Sequence, residues 1–319
     1  MMERMELLDE QLDSSVRASV NNALLLAGGA AVITAVLASW FVSQRIARPI
    51  RAVVDVSQRI ASGHYDERLN ARTGDELGEL MESFDRMASA LDESETTRRQ
   101  LLADVTHELK TPLASIKGYM EGLQDNILPA GPETFQLVHR EAARLQRLVE
   151  DLQELSRVEA GQVTILAKPL DAALVVQGVV ERMRPQFVEK AIALQTEVPG
   201  QLPSVVADHD RMEQILTNLL GNALQYTSAG GKVTVCVKPS DHTLDFAVRD
   251  TGIGLAREDQ ERVFQRFYRV DKSRSRASGG SGIGLTITRY LVEAQGGKIW
   301  AESAGLGQGS TFHFTLPAA

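Results

Sequence analysis

One cysteine in the whole chain excludes an intrachain disulfide framework and any zinc site built of cysteines. That residue, Cys236, lies in the strand-like run Val233-Thr234-Val235-Cys236-Val237 and reads as a small core hydrophobe. Basic residues are too few for a nucleic-acid footprint: 34 Lys and Arg stand against 42 Asp and Glu, for a net charge of −8, so no direct nucleic-acid contact is expected. Several motifs are missing as well. There is no G-x-x-x-x-G-K-[ST], and the pair Gly252-x-Gly254 meets Arg257 where a dinucleotide fingerprint needs its third glycine. The zinc-protease pattern H-E-x-x-H fails at position 111, which is Thr.

Charge itself is missing from Ala18 to Gln44. Within that window, residues 23–43 are long enough as a helix to cross the roughly 30 Å of a bilayer's hydrocarbon core. Gly28-Gly29 suits a membrane helix better than a soluble one, and Trp40 falls where an indole favours the interface. A cleaved signal peptide does not fit, because the preceding residues lack a basic region. Arg45, Arg48 and Arg51 follow the span, so the positive-inside rule places residues 1–22 outside and the bulk of the chain in the cytoplasm. The expectation is a single-pass protein of the cytoplasmic (inner) membrane.

After the span, Pro49 precedes Ile50, Val53 and Ile60, at roughly coiled-coil spacing after Ile46, and Ser62-Gly63-His64-Tyr65-Asp66 breaks the pattern. A second helix opens at Asp75-Glu76, and Leu77, Leu80, Phe84, Met87 and Leu91 step by 3, 4, 3, 4 as an a/d seam. The helical pattern continues to about Gln124, turns at Asn126 to Pro132, and returns with Phe135, Val138, Ala142, Leu145, Val149, Leu152 and Leu155 as the inward face. Neither seam can be buried by one copy, which predicts a homodimer. His107 sits in the first arm of this hairpin. Thr111, one turn on, shares its face, and Glu108 is turned by about 100°. Pro112 has no N–H for the carbonyl of Glu108, so a kink is expected. An imidazole is largely neutral at cytoplasmic pH, and its free nitrogen can attack phosphorus if a base, here Glu108, holds the other N–H.

From residue 163 the periodicity changes. Strands are expected at 163–167, 192–198, 204–207, 232–238, 243–249, 298–302 and 311–316, with helices near 175–189, 210–226 and 283–294, which describes a two-layer α/β sandwich. Asn218 and Asn222, four apart, project from one face of a helix whose other side is Leu216, Leu219, Leu220 and Ala223. Neutral amide oxygens suit Mg²⁺ already surrounded by phosphate charge. Asp250-Thr251-Gly252-Ile253-Gly254 ends a strand with a carboxylate able to accept an adenine amino group beside glycines that admit a base. Gly280-Ser281-Gly282-Ile283-Gly284 opens a helix, where N–H groups favour phosphate. Phe264 to Arg269 lies between, followed by the Ser/Gly-rich basic stretch Lys272–Gly280, which reads as a lid.

These segments together resemble the bacterial two-component sensor histidine kinases over about residues 45–318. The early proline, the glycine of the connector and Asp-Glu-Leu-Gly resemble a HAMP linker; the run Ala103 to Leu113 resembles the H-box; the later segments look like the N, G1, F and G2 boxes, closed by Gly307 to Phe312. The resemblance implies residues 44–95 as a HAMP parallel coiled coil, 96–161 as a dimeric four-helix bundle with the phospho-acceptor, and 162–319 as the ATP-binding domain. It implies His107 as phospho-acceptor, Glu108 as its base, and Thr111 as the residue that orients water when the partner is dephosphorylated. It further implies Asn218 holding Mg²⁺, Asn222 the phosphates, Asp250 selecting adenine with Tyr226 flanking it, Arg269 on the γ-phosphate of ATP, and the glycines Gly252, Gly254, Gly280, Gly282 and Gly284 shaping the site. The phosphoryl group would pass to an aspartate of a separate response regulator, because no receiver-like segment follows Ala319. Gyrase-type relatives of this ATPase fold carry a glutamate at the place of Asn218 to activate water, so an amide there argues for transfer over hydrolysis. Gln225 departs from the family pattern, where many members carry a basic residue, and leaves Arg269 or Lys272 to compensate. It also keeps open a second reading, a nucleotide-binding scaffold that does not phosphorylate itself.

Overall fold

The computed structural model describes residues 2–69, 74–270 and 281–319, with side chains from residue 19 onward. The chain divides into two compact units, residues 1–100 and 101–319.

In the first unit, α1 (Met2–Val42) passes through a π-helical turn at Ser43–Ala47 into α2 (Arg48–Ala61). Pro49 comes directly after the π-helical turn, and the helix runs on past it. The stretch Ser19–Ala61 has a mean hydropathy of 2.1 in its most apolar window, none of it buried, and is long and apolar enough to cross a membrane. Gly63, at φ 95°, ends α2. The next helix, α3 (Glu76–Gln124), begins where the Asp-Glu-Leu-Gly run predicts, with Asp75 accepting from the Gly78 N–H. The expected seam stays open on the single chain. Leu80, Met87 and Leu91 are exposed, whereas Met81 and Ala88 are buried within the unit. The connector decides this: Leu69 N donates to Asp85 (2.8 Å) and Arg68 pairs with Asp92 (3.4 Å), so the chain crosses the face bearing 81, 85, 88 and 92 and leaves the neighbouring stripe open.

In the second unit, α3 continues through Pro112 without a break. The chain reverses where Ile127 N and Leu128 N both bond the Gly122 carbonyl, and α4 (Pro132–Glu159) starts on a proline. Its expected inward face is partly open on the single chain, and of its residues Leu155 is buried as expected. Phe135 and Val149 are exposed, while Leu148 and Leu155 are buried in the core of the α/β module that follows.

That module begins with β1 (Lys168–Leu170), α5 (Ala172–Glu189), β2 (Ala193–Glu197), β3 (Val205–Ala207) and α6 (His209–Tyr226). It continues with β4 (Lys232–Ser240), β5 (Thr243–Asp250), the single turn α7 (Asp259–Arg262), α8 (Gly284–Glu293), β6 (Ile299–Glu302) and β7 (Ser310–Pro317). The main sheet has the order β2-β4-β5-β7-β6, antiparallel except for the parallel β2–β4 pair; β1 and β3 form a separate two-stranded sheet. Strand β7 alternates buried and half-buried residues, as one covered face requires, and Phe314 stacks on Phe246 at 4.7 Å. Cys236 is buried, as its surroundings predict. Asp171 caps α5 by accepting from Ala173 N and Leu174 N. Residues 163–167 form no strand. Their Leu166 N–H goes to the carboxylate of Asp208 (2.8 Å), and ladder pairing starts only at Lys168, because β3 offers three residues to pair with. Asp208 also caps α6; burial works against its charge, yet three backbone N–H bonds outweigh that and hold its pKa below the ordinary carboxylate value.

Candidate functional site

Helix α6 carries Asn218 and Asn222 on its polar side. The Nδ2 of Asn218 donates to the Gly284 carbonyl and to Thr288 Oγ1, both at 3.3 Å, which leaves Oδ1 as the end offered to a ligand. Asp250, the last residue of β5, is 6% exposed. Its Oδ1 accepts from Gly252 N (2.8 Å) and Ser310 N (3.3 Å); burial pushes its pKa above the usual carboxylate range, and the two N–H bonds hold back part of that rise. Gly254 lies at φ 69°, and a Cβ there would stand 2.1 Å from the Gly305 carbonyl, so only glycine fits. The turn Gly307–Gly309 bonds back to Ile253 and Gly252 and closes this end.

At the other end, Gly282 (φ 74°) packs on Phe267, whose φ of 57° is unusual for an aromatic residue and whose N–H donates to the Gly282 carbonyl at 3.0 Å. Next to it the hydroxyl of Tyr268 donates to buried Asp259 at 2.5 Å, which together with burial raises the tyrosine pKa, and Arg262 stacks on its ring at 4.5 Å.

These elements enclose a cavity of about 750 Å³, a size that suits a small-molecule ligand. Asn218, Asn222, Tyr226 and Asp250 line it, as do Gly254, Arg269, Gly282 and Gly284. Gly252 supports Asp250 and Tyr226 from behind: a Cβ there would meet the Tyr226 carbonyl at 2.4 Å. Gly280 and the lid Lys272–Gly280 lie outside the described residues.

The far wall comes from the helical hairpin: Glu108 from α3, and Arg144, Arg147, Leu148 and Asp151 from α4. Sequence reasoning missed the α4 residues, since charges spaced along a polar helix face read as solvated. Three contacts hold this wall. Ser281 Oγ bonds the Asp151 carboxylate, Arg211 pairs with Glu154 at 3.1 Å, and Arg266 with Glu159 at 2.7 Å. Burial raises the pKa of Asp151, and the bond from Ser281 offsets part of that rise.

His107 is not in the cavity. Its side chain is 82% exposed, in a shallow recess with Lys110, Thr111, Ala114 and Ser115. Its Nδ1 stands 3.8 Å from Glu108 Oε1, and the other oxygen of Glu108 is 3.7 Å from Arg144 Nη2. The Thr111 hydroxyl bonds the His107 carbonyl at 3.2 Å, so it turns to the backbone and not to the ring. Helix pitch thus separates His107 and Thr111, on one face, from Glu108, which reaches the cavity.

The arrangement has counterparts. Residues 207–319 match the family "Histidine kinase-, DNA gyrase B-, and HSP90-like ATPase", residues 97–161 the "His Kinase A (phospho-acceptor) domain", and residues 41–93 the "HAMP domain". The chain is 34% identical over 277 residues to the signal transduction histidine-protein kinase BaeS of Escherichia coli K12, covering 87% of this chain and 59% of BaeS. It is 34% identical over 296 residues to the sensor histidine kinase YclK of Bacillus subtilis, covering 90% of this chain and 62% of YclK. It therefore spans about three fifths of the length of these curated relatives. Among solved structures, full-length ShkA in complex with AMPPNP superposes with a TM-score of 0.52 and 32% identity, over 69% of this chain and 46% of ShkA. The chain belongs to the two-component sensor histidine kinases.

Proposed function

We propose that the protein binds Mg·ATP in the cavity bounded by Asn218, Asp250 and Gly282, phosphorylates His107, and passes the phosphoryl group to an aspartate of a separate response regulator. The observation that carries this reading is the pair His107–Glu108: the imidazole is open to a phosphate donor, and the adjacent carboxylate already lines the nucleotide cavity of the same chain. In the transfer a ring nitrogen of His107 bonds to the γ-phosphorus, the bond from phosphorus to the bridging oxygen breaks, and ADP leaves with that electron pair. The proton on the other ring nitrogen is held by Glu108. Most of the catalysis is placement and charge neutralisation. Asp250 accepts the adenine amino group beside Tyr226, while Asn222, Arg269 and the N–H groups of the Gly280–Gly284 loop take phosphate.

Magnesium fits the donor set. The fixed amide of Asn218 offers one neutral oxygen, and no group of three His, Cys, Asp or Glu suited to a metal occurs among the described residues, so the ion's other ligands would be phosphate and water. When bound, it supplies positive charge to the phosphates. The apolar helix through residues 23–43 anchors the chain in the cytoplasmic membrane, Arg45, Arg48 and Arg51 keep residues 44–319 on the cytoplasmic side, and the HAMP segment (44–95) and hairpin (96–161) dimerise. Thr111, on the face of His107, orients the water that removes phosphate from the regulator.

Incubation with γ-labelled ATP and Mg²⁺ should give an acid-labile, base-stable label that His107→Gln abolishes. Label that survives this substitution would sink the assignment, and nucleotide binding without label would favour a scaffold. Thr111→Ala should keep the label and slow dephosphorylation of the regulator by about tenfold or more.

A further inference from the structure

Arg144 is a half-buried cation whose side chain faces the cavity. Its side chain is 12% exposed, yet its nearest carboxylates, Glu108 Oε2 at 3.7 Å and Glu141 Oε2 at 3.9 Å, both lie beyond hydrogen-bond reach. The Glu141 oxygen is itself buried without a hydrogen-bond partner. A guanidinium that meets its neighbouring carboxylates only through charge keeps N–H donors for an acceptor that enters the cavity. The same side chain lines the cavity that also holds Asn218, Asn222 and Arg269. A planar fork of five N–H donors matches phosphate oxygens two at a time, which a lysine or a water-exposed arginine does less well.

We propose that Arg144 is a positioning residue that links the terminal phosphate of the nucleotide to Glu108, the carboxylate beside His107; this rests on the phosphotransfer reading above. With phosphate in the cavity, the guanidinium turns its donors to the phosphate oxygens. Its pull on Glu108 weakens, and Glu108 is released to hold the ring N–H of His107 while the opposite ring nitrogen attacks. Arg144 forms no covalent bond to the transferred group and takes no proton. It makes the readiness of the base depend on the phosphate being in place. Glu108 and Arg144 belong to the chain that supplies the cavity, so this coupling needs no residue of a second copy.

The test uses the full chain in detergent with Arg144→Gln and Arg144→Lys. Binding of ADP and of a non-hydrolysable ATP analogue is measured by calorimetry, and phosphohistidine formation is followed at saturating and low ATP. Arg144→Gln should slow labelling at saturating ATP by about 100-fold. It should also cut the preference for the ATP analogue over ADP by about tenfold, with ADP affinity within about threefold of the parent. Arg144→Lys, which keeps the charge and loses the fork, should fall between. Labelling by Arg144→Gln within about threefold of the parent, or an equal loss of ADP and analogue binding, would overturn the proposal. If Arg144→Gln fails to fold, Arg144→Lys carries the same comparison. Absence of His107-dependent label in the parent would count against the phosphotransfer reading, and the analogue-to-ADP ratio would still decide on Arg144.

Discussion

Asp250 shows at one residue how a carboxylate buried in a cavity wall strains the fold that holds it. Its carboxylate is buried, and two backbone N–H bonds only partly compensate, so its pKa in the folded protein lies above the ordinary value. A carboxylate shifted this way destabilises the folded state when ionised. The penalty is absent below the ordinary carboxylate pKa, grows as pH rises toward the raised value, and is complete above it. Asp250→Asn keeps an oxygen for Gly252 N and removes the charge. It should melt above the parent at neutral pH, with the difference vanishing toward about pH 3. Adenine nucleotide affinity should fall by roughly 10- to 100-fold, since a hydrogen bond to a charged group is lost. Melting curves across pH and calorimetry with ADP read both effects, and an Asp250→Asn protein that binds ADP as tightly as the parent would remove Asp250 from the adenine site. This residue was legible in the sequence because a strand-ending Asp followed by two spaced glycines is local chemistry. Arg144 was not, because nothing in the run Arg144 to Asp151 says which of its charges meet water.

At the scale of elements, α3 is the longest single α-helix among the described residues, 49 residues that run through Pro112 five positions after His107. Pro112 withholds a backbone bond from Glu108, and its ring is buried. Exchange for alanine should gain about 3 kcal/mol in helix propensity and lose about 1.6 kcal/mol from two buried methylenes, a net gain of roughly 1–2 kcal/mol. A urea midpoint that falls in Pro112→Ala would show that packing of the ring outweighs the missing bond. The positions of the long helices were readable because a 3.6-residue period accumulates over many turns. Residues 163–167 misled for the opposite reason: five residues of strand-like composition carry little periodic information, and Asp208, more than forty residues away, claims the Leu166 N–H.

For the whole molecule, the informative surface is what each unit leaves open. Leu80, Met87 and Leu91 in the first unit, and Leu113, Met120 and Phe135 in the second, are exposed apolar residues on helices. Burying them against a second copy is the economical use of such stripes. Leu80→Asp with Met87→Asp should remove about 3–6 kcal/mol per protomer from that association and shift the protein toward monomer in detergent. ADP affinity should hold, since neither residue is in the second unit. Sedimentation that still shows a dimer of unchanged stability would exclude this stripe as the contact.

Sequence alone determined the order of modules, the apolar span, the helix carrying His107 and the glycine turns of the cavity, because hydropathy, helical period, capping and φ > 0 act over a few residues. Only the tertiary structure decided which face of α3 the connector covers, that Leu148 and Leu155 join the α/β core, and that Glu108 and Arg144 wall the cavity while His107 faces away. A charge or a leucine on a helix carries the same local pattern whether it meets water, a neighbouring module or a second chain. What it touches is set by packing between segments distant in sequence.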